Sequence, residues 1–265
     1  MLFNIEFSEN FKYSMNEDVS FNIHYYGDNQ RTKQFFQLFP KNKKITLLIE
    51  DLEDFILEEK FNFYKDFDYN FVLSFYYADN DLIKSFIKKL CKENIPFLFR
   101  NIATSWEQLN YYINLGASEV FIGEDLCFSI KGVSQVCKKN KVKLRLAPNV
   151  SQAKYPPIEG SLISFYIRPE AIKLYETYVD EIEFWGNKES YNTIYEIYKS
   201  GKWFGDLSEI ILGLKVSINN RALPPLFDAC RLNCNHKCIK GSSCQECYKL
   251  RDLAETLGNN NMYLK

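Results

Sequence analysis

Short runs rich in aromatic and β-branched residues recur along the chain, each followed by a polar turn and by a stretch whose apolar residues return every three or four positions. The runs Ser20–Tyr26, Ile45–Glu50, Asn70–Tyr76, Pro96–Arg100, Glu119–Gly123, Lys143–Ala147, Leu162–Arg168 and Glu181–Trp185 read as strands. Between them, Arg31–Phe39, Asp51–Tyr64, Asp81–Asn94, Ser105–Leu115, Phe128–Lys139, Pro169–Tyr178 and Tyr191–Ser200 read as helices with one apolar stripe. Asp81-Leu-Ile-Lys-Ser-Phe-Ile-Lys-Lys-Leu carries the stripe most plainly. Strand–helix alternation with eight strands is the pattern of a parallel α/β sheet closed as a TIM-type (β/α)8 barrel.

Local signals agree with this reading. Thr104 stands where an N-cap belongs, with Glu107 completing a capping box, and Gly116 stands where a helix ends. Two stretches depart from the pattern. Pro148–Gly160 holds three prolines and no helical period, so one crossover helix reads as lost to a loop. Leu2–Phe7 reads as an extra strand ahead of the barrel, to cap its bottom or pair with a partner. The expected organisation is a barrel over 1–226 and a cysteine-rich segment with a C-terminal helix over 227–265. The polar tail from Gly258 reads as frayed.

At 265 residues, with 46% apolar residues, the chain has the length and apolar content of one large core. The balance of 33 basic and 34 acidic residues leaves no global field to attract nucleic acid or an anionic membrane. No apolar run approaches a membrane span, and MLFNIEFSENF lacks a signal-peptide pattern, so the expectation is a cytoplasmic chain. The 22 Phe and 18 Tyr accompany abundant Lys, Asn and Ile, a compositional bias that argues for aromatics as core filler rather than base-stacking platforms.

Five of the eight cysteines fall in one short stretch: Cys230, Cys234, Cys238, Cys244 and Cys247, with His236 among them. Thiolates at this spacing converge on one ion at little loop-closure cost, and Cys244-x-x-Cys247 is half of a tetrahedral zinc site or of an iron–sulfur cluster site. Disulfides and unliganded thiols are the competing readings.

At the C-terminal strand ends, where barrels keep their chemistry, stand Glu50, Asp51, Arg100, Asn101, Glu124, Asp125, Asn149, Arg168, Glu170, Glu183 and Asn187, with Arg145 inside its strand. Arg100, Arg145 and Arg168 are candidates for holding a carboxylate or phosphate. The alternative is a satisfied ion network with Glu124 and Glu183. His24 is the one histidine within the barrel region, and no nucleophile elbow, P-loop, dinucleotide fingerprint or zinc-protease helix occurs, so the common hydrolytic schemes find no support.

At Leu115-Gly-Ala-Ser-Glu-Val-Phe-Ile-Gly123, at Ile163-Ser-Phe-Tyr-Ile-Arg-Pro-Glu-Ala-Ile172 and at Glu181-Ile-Glu-Phe-Trp-Gly186 the chain resembles the collagenase-like U-thirty-two peptidase family, over about half its length. That resemblance implies a barrel of peptidase-like, RNA-modifying or quinone-hydroxylating ancestry, an iron–sulfur cluster held by cysteines as in several members, and Arg168, Glu170 and Glu183 at the acidic and basic positions of the family's strand-end motifs. The chain departs from it after Gly186, where Asn187-Lys-Glu-Ser stands in place of the family's cysteine. Two functional expectations follow. One is an enzyme-like barrel that takes an anionic small molecule or RNA-linked substrate near a thiolate-held metal, either zinc or an iron–sulfur cluster. The other is a non-catalytic phage or mobile-element protein whose zinc-stapled surface binds a protein partner or a second copy.

Overall fold

A computed structural model describes residues 2–6, 19–25, 27–57, 60, 68–151, 165–186, 188–214, 216–234 and 262–264. Eight parallel strands stand in chain order: β1 (Leu2–Glu6), β2 (Val19–Tyr25), β3 (Lys44–Ile49), β4 (Asn70–Phe75), β5 (Phe97–Phe99), β6 (Glu119–Ile122), β7 (Lys143–Leu146) and β8 (Glu181–Glu183). β1 pairs with β2 on one side and β8 on the other, so the sheet closes. Around it run α1 (Asn29–Gln37), α2 (Leu52–Leu57), α3 (Asp81–Lys92), α4 (Trp106–Asn114), α5 (Glu124–Cys127), α6 (Ile130–Lys139), a 3₁₀ stretch Pro169–Tyr175, and α7 (Lys188–Ser200).

Eight barrel strands were expected, but two identities differ. Leu2–Glu6 is a barrel strand and not an addition to it. Among the described residues, Leu162–Arg168 supplies no barrel strand: its first residues lie outside the described ones, and Tyr166–Arg168 run irregularly into the 3₁₀ stretch. The run is apolar because Phe165, Tyr166 and Ile167 are buried beneath other elements, and a short apolar run does not by itself reveal whether a sheet or a covering layer buries it. The proline-rich loop is described only through Ser151, and the helix expected over 248–257 lies outside the described residues. In the tail, Met262–Leu264 (β10) pairs antiparallel with Val216–Ile218 (β9).

α1, α3 and α4 form where a side-chain N-cap and an apolar stripe coincide. Asn80 caps α3 by accepting from Ile83 N at 2.8 Å, and the helix buries Ile83, Phe86, Ile87 and Leu90. Each such fully buried side chain contributes about 2 kcal/mol of apolar transfer free energy. The N-cap of α4 is Ser105, one residue later than expected: its hydroxyl accepts from Gln108 N at 3.2 Å, and Gln108 Oε1 reaches back to Thr104 N at 2.9 Å. Gly116 ends that helix at φ +93° as its position suggested, and a Cβ there would meet Cys91 Sγ at 2.6 Å. The aromatics are core filler. Phe75 meets Phe97 and Phe99 with centroids 5.9 and 5.5 Å apart, and Phe36, Phe55 and Phe97 are buried in the layer between sheet and helices.

Beyond α7 the chain returns to cover the outside. Leu212 bridges to Val150 in parallel, its N donating to Asn149 O and its O accepting from Ser151 N, and α8 (Pro225–Leu232) packs against the 3₁₀ stretch with Arg231 between the rings of Tyr166 and Phe227, at 4.4 and 4.3 Å.

Candidate functional site

The strand registers sort the inward-facing positions into layers, each drawn from alternate strands. Ser20, Val72, Glu119 and Glu181 form a low layer, with Lys44 just beneath. Thr46, Leu98 and Arg145 come next, then Asn22, Ser74, Phe121 and Glu183. Above them Leu48, Arg100 and Ala147 lead to a rim of His24, Tyr76, Gly123 and Trp185.

The floor is ionic. Arg145 is 0% exposed. It donates through Nε to Glu119 Oε2 at 2.6 Å and through Nη2 to Thr46 Oγ1 at 2.7 Å. Its Nη2 also lies 3.2 Å from Glu181 Oε1, and its Nη1 lies 3.3 Å from Glu183 Oε2. Lys44 bridges Glu119 and Glu181 from below, and Ser20 donates to Glu181 Oε1 at 2.7 Å. Burial works against every charge here, and the pairing decides which charges persist. Burial pulls the Lys44 ammonium below its ordinary value, with Arg145 adding to the effect against Glu181 and Glu119. Burial opposes ionisation of Glu181 too, but Arg145 and Lys44 outweigh it and hold that carboxyl down at about 2. Burial likewise opposes the Arg145 charge, and Glu119, Glu181 and Glu183 together keep the guanidinium protonated above its ordinary range.

This settles the place of two of the three candidate arginines. Arg145 has no nitrogen to offer a ligand, as the ion-network alternative anticipated, and Glu183 is one of its partners. Arg168 lies outside the barrel, where its guanidinium forks onto Asp228 and donates to the carbonyls of Asn220 and Leu223, both at 3.2 Å. Glu170 is on the same outer face, accepting from Trp203 N at 2.7 Å and Asn220 Nδ2 at 2.8 Å. A cleft of about 350 Å³ there is lined by Arg168, Glu170, Phe204 and Arg221. The expected cluster of Arg100, Arg145 and Arg168 therefore does not form. The side chains of Glu124, Asp125 and Asn187 lie outside the described ones.

Arg100 remains at the mouth. Its backbone N donates to Phe75 O at 2.8 Å, prolonging the ladder, and its side chain is 25% exposed over the ring of Tyr76. Nη1 is 3.6 Å from Glu50 Oε1, beyond hydrogen-bond reach, and makes no hydrogen bond. The same Glu50 oxygen lies 3.3 Å from His24 Nδ1, so one carboxylate, 55% exposed, faces both a histidine and an arginine. Trp185 stacks on Phe121 at 5.6 Å, and Asn149 clamps its backbone, Nδ2 donating to Trp185 O at 2.6 Å and Trp185 N donating back to Oδ1 at 3.0 Å. Asn101, also expected at the mouth, binds the backbone of Tyr77 instead.

Sequence reasoning did not select Asn22, Ser20, Lys44, Glu119, Glu181 or Trp185. Their one signal is a polar residue at an inward strand position, visible only once the register is known.

Cys230 lies in the last turn of α8 and Cys234 just past its C-cap Asn233, both half-buried. Lys131 Nζ donates to the neighbouring Asn233 Oδ1 at 2.5 Å, which sets this start of the cysteine segment against α6 in the outer layer rather than at the mouth. Cys238, Cys244, Cys247 and His236 lie outside the described residues. Among the described residues no three His, Cys, Asp or Glu side chains are grouped as a metal would need, and no helix is long and apolar enough to cross a membrane. No family model and no curated protein matches the chain.

Proposed function

We propose that the chain is a TIM-type (β/α)8 barrel whose C-terminal mouth binds a small anionic group at Arg100, with His24 and Glu50 as a proton-exchanging pair beside it. The observation that carries this reading is Arg100 itself: of the three candidate arginines it is the one whose side chain is partly exposed, and its Nη1, buried behind the exposed Glu50, lacks a hydrogen-bond partner. An entering carboxylate or phosphate gives that nitrogen an acceptor and displaces the exposed Glu50 from a loose pair. Glu50 beside His24 Nδ1 orients the imidazole at the mouth, where His24 takes or gives a proton.

The sequence resemblance to collagenase-like peptidases, with their peptidase and RNA-modifying members, keeps an anionic or RNA-linked substrate within this reading. The cysteine segment is proposed to hold a thiolate-bound zinc ion or iron–sulfur cluster. The half-buried Cys230 and Cys234, in and just past the last turn of α8, suit two of the ligand positions, and the group would staple the C-terminal segment to the barrel.

The test is calorimetric titration of the full chain with a panel of carboxylates and inorganic phosphate, repeated with Arg100→Ala and Arg100→Lys. Binding that is lost in Arg100→Ala and weakened in Arg100→Lys supports the reading. Binding indifferent to both, or none across the panel, overturns it. A second reading, a binding protein with an outer interaction surface for a protein partner or a second copy, is favoured by one feature: Leu174, Phe204 and Leu226 are exposed around the outer cleft. Sedimentation of Phe204→Ser against the parent chain decides that reading.

A further inference from the structure

We infer that the ligand of the barrel mouth carries an ammonium group as well as an anion, and that Asn22 and Glu183 form the subsite for it. The inference rests on the anion reading at Arg100 and extends it inward. Asn22 is 5% exposed, and its Oδ1 has no hydrogen-bond partner. A buried amide oxygen left unpaired has lost its water without gaining a partner, so the site is built for a donor. The register places its side chain inside: Ser20, two residues earlier on β2, points to the interior and bonds Glu181. Asn22 and Glu183 are each two residues further along the same two strands, in one layer, and so face each other as Ser20 and Glu181 do.

Glu183 supplies the charge. Its carboxylate is 15% exposed whereas Glu119 and Glu181 beneath it are sealed, which makes it the tip of the ionic floor that solvent reaches. The contact to Arg145 uses Oε2, leaving Oε1 directed elsewhere. Two acceptors in one layer of the barrel interior, one of them anionic, call for a donor with several hydrogens and a positive charge, as an ammonium has. β5, which carries Arg100, stands opposite β1 in the sheet circuit, so the anion and ammonium subsites face each other across the barrel. Phe121, in the same layer as Asn22 and Glu183, and Trp185 stacked on it offer an aromatic wall between them. The ligand class is a small zwitterion with a flat apolar part, such as an aromatic amino acid.

The test is titration of the full chain with L-phenylalanine, 3-phenylpropanoate and 2-phenylethylamine, read by calorimetry and Trp fluorescence. The expected order places L-phenylalanine about ten-fold or more ahead of both others, as one charge-assisted hydrogen bond implies. Asn22→Leu and Glu183→Gln should each erase the advantage over 3-phenylpropanoate while leaving binding of 3-phenylpropanoate in place, and Asn22→Asp should enlarge it. Thermal melts check that each variant is folded. If Glu183→Gln fails to fold because Arg145 has lost a partner, the two Asn22 variants decide alone. If 3-phenylpropanoate binds through Arg100 as tightly as L-phenylalanine, the ammonium subsite is wrong and the anion site stands. If neither carboxylate binds, or binding ignores Arg100→Ala, the anion reading fails and this inference fails with it.

Discussion

Replacing Arg145 with methionine removes the central cation from the barrel floor and leaves Glu119, Glu181 and Glu183 with Lys44 alone. Methionine approximates the volume, so the effect is electrostatic. Removing one partner of a buried ion pair costs about 3–5 kcal/mol. The ionisation of Glu181 supports the same scale: a carboxyl held at about 2 against an ordinary 4.5 reflects a net gain of about 3 kcal/mol, left after its cationic neighbours have outweighed the cost of burial. In the parent protein this contribution is fully present above about pH 4.5 and is lost as pH falls towards about 2.

In Arg145→Met the sign reverses. With one cation for three carboxylates, burial raises the folded-state value of at least one of them, and that group destabilises the fold increasingly as pH rises from its unfolded value to the raised folded one, above which the cost is constant. The variant should melt about 5–15 °C below the parent at pH 8, and the deficit should shrink at pH 5. Calorimetric melts at the two pH values measure this. Adding Glu119→Gln should lower stability in the parent but restore part of it in Arg145→Met, an inversion that a double-mutant cycle reads directly. A deficit that is the same at both pH values, or additive costs in the cycle, would refute the claim that charge balance holds the floor together.

Gly116→Ala should cost about 1–3 kcal/mol, because φ +93° disfavours any side chain and the new Cβ meets Cys91 Sγ; Cys91→Ala should recover part of the loss in chemical denaturation and leave the backbone share. Arg168→Lys should lower the melting temperature by several degrees, since a lysine cannot reproduce the fork onto Asp228 and the two carbonyl contacts, and equal melting would show the fork to be dispensable. Burial pushes the Cys137 thiol up to about 12, so iodoacetamide at pH 8 should leave it unmodified in the native protein and alkylate it in denaturant, as peptide mass spectrometry would report. Anaerobic purification followed by elemental analysis should return zinc or iron in stoichiometric amount, diminished in Cys230→Ser and Cys234→Ser; metal-free protein would end the ligand proposal for the cysteine segment.

The alternation of strands and helices was legible from periodicity because a parallel sheet covered by helices imposes an apolar run on each strand and one stripe on each helix. α3 and the turn at Gly116 follow from a few local residues, and a burial pattern as simple as that of Ile83, Phe86, Ile87 and Leu90 shows directly in the spacing. The strand count came out right while membership did not. Leu2–Glu6 belongs to the sheet and Tyr166–Arg168 does not, a choice made by which segment finds open strand edges on both sides.

The site was harder to read for the same reason. Arg100, Arg145 and Arg168 are alike in sequence, but strand tilt sends Arg145 into the floor beside three carboxylates, the return of the C-terminal segment ties Arg168 to Asp228, and Arg100 alone stays at the mouth. Asn22 drew no notice as one polar residue in an apolar strand. What the sequence alone determined is the kind of each element and the stock of chemical groups, since both depend on neighbours a few positions apart. Which groups meet, and which are left wanting a partner, depended on register and closure, because those bring residues more than a hundred positions apart, such as Ser20 and Glu181, within 2.7 Å.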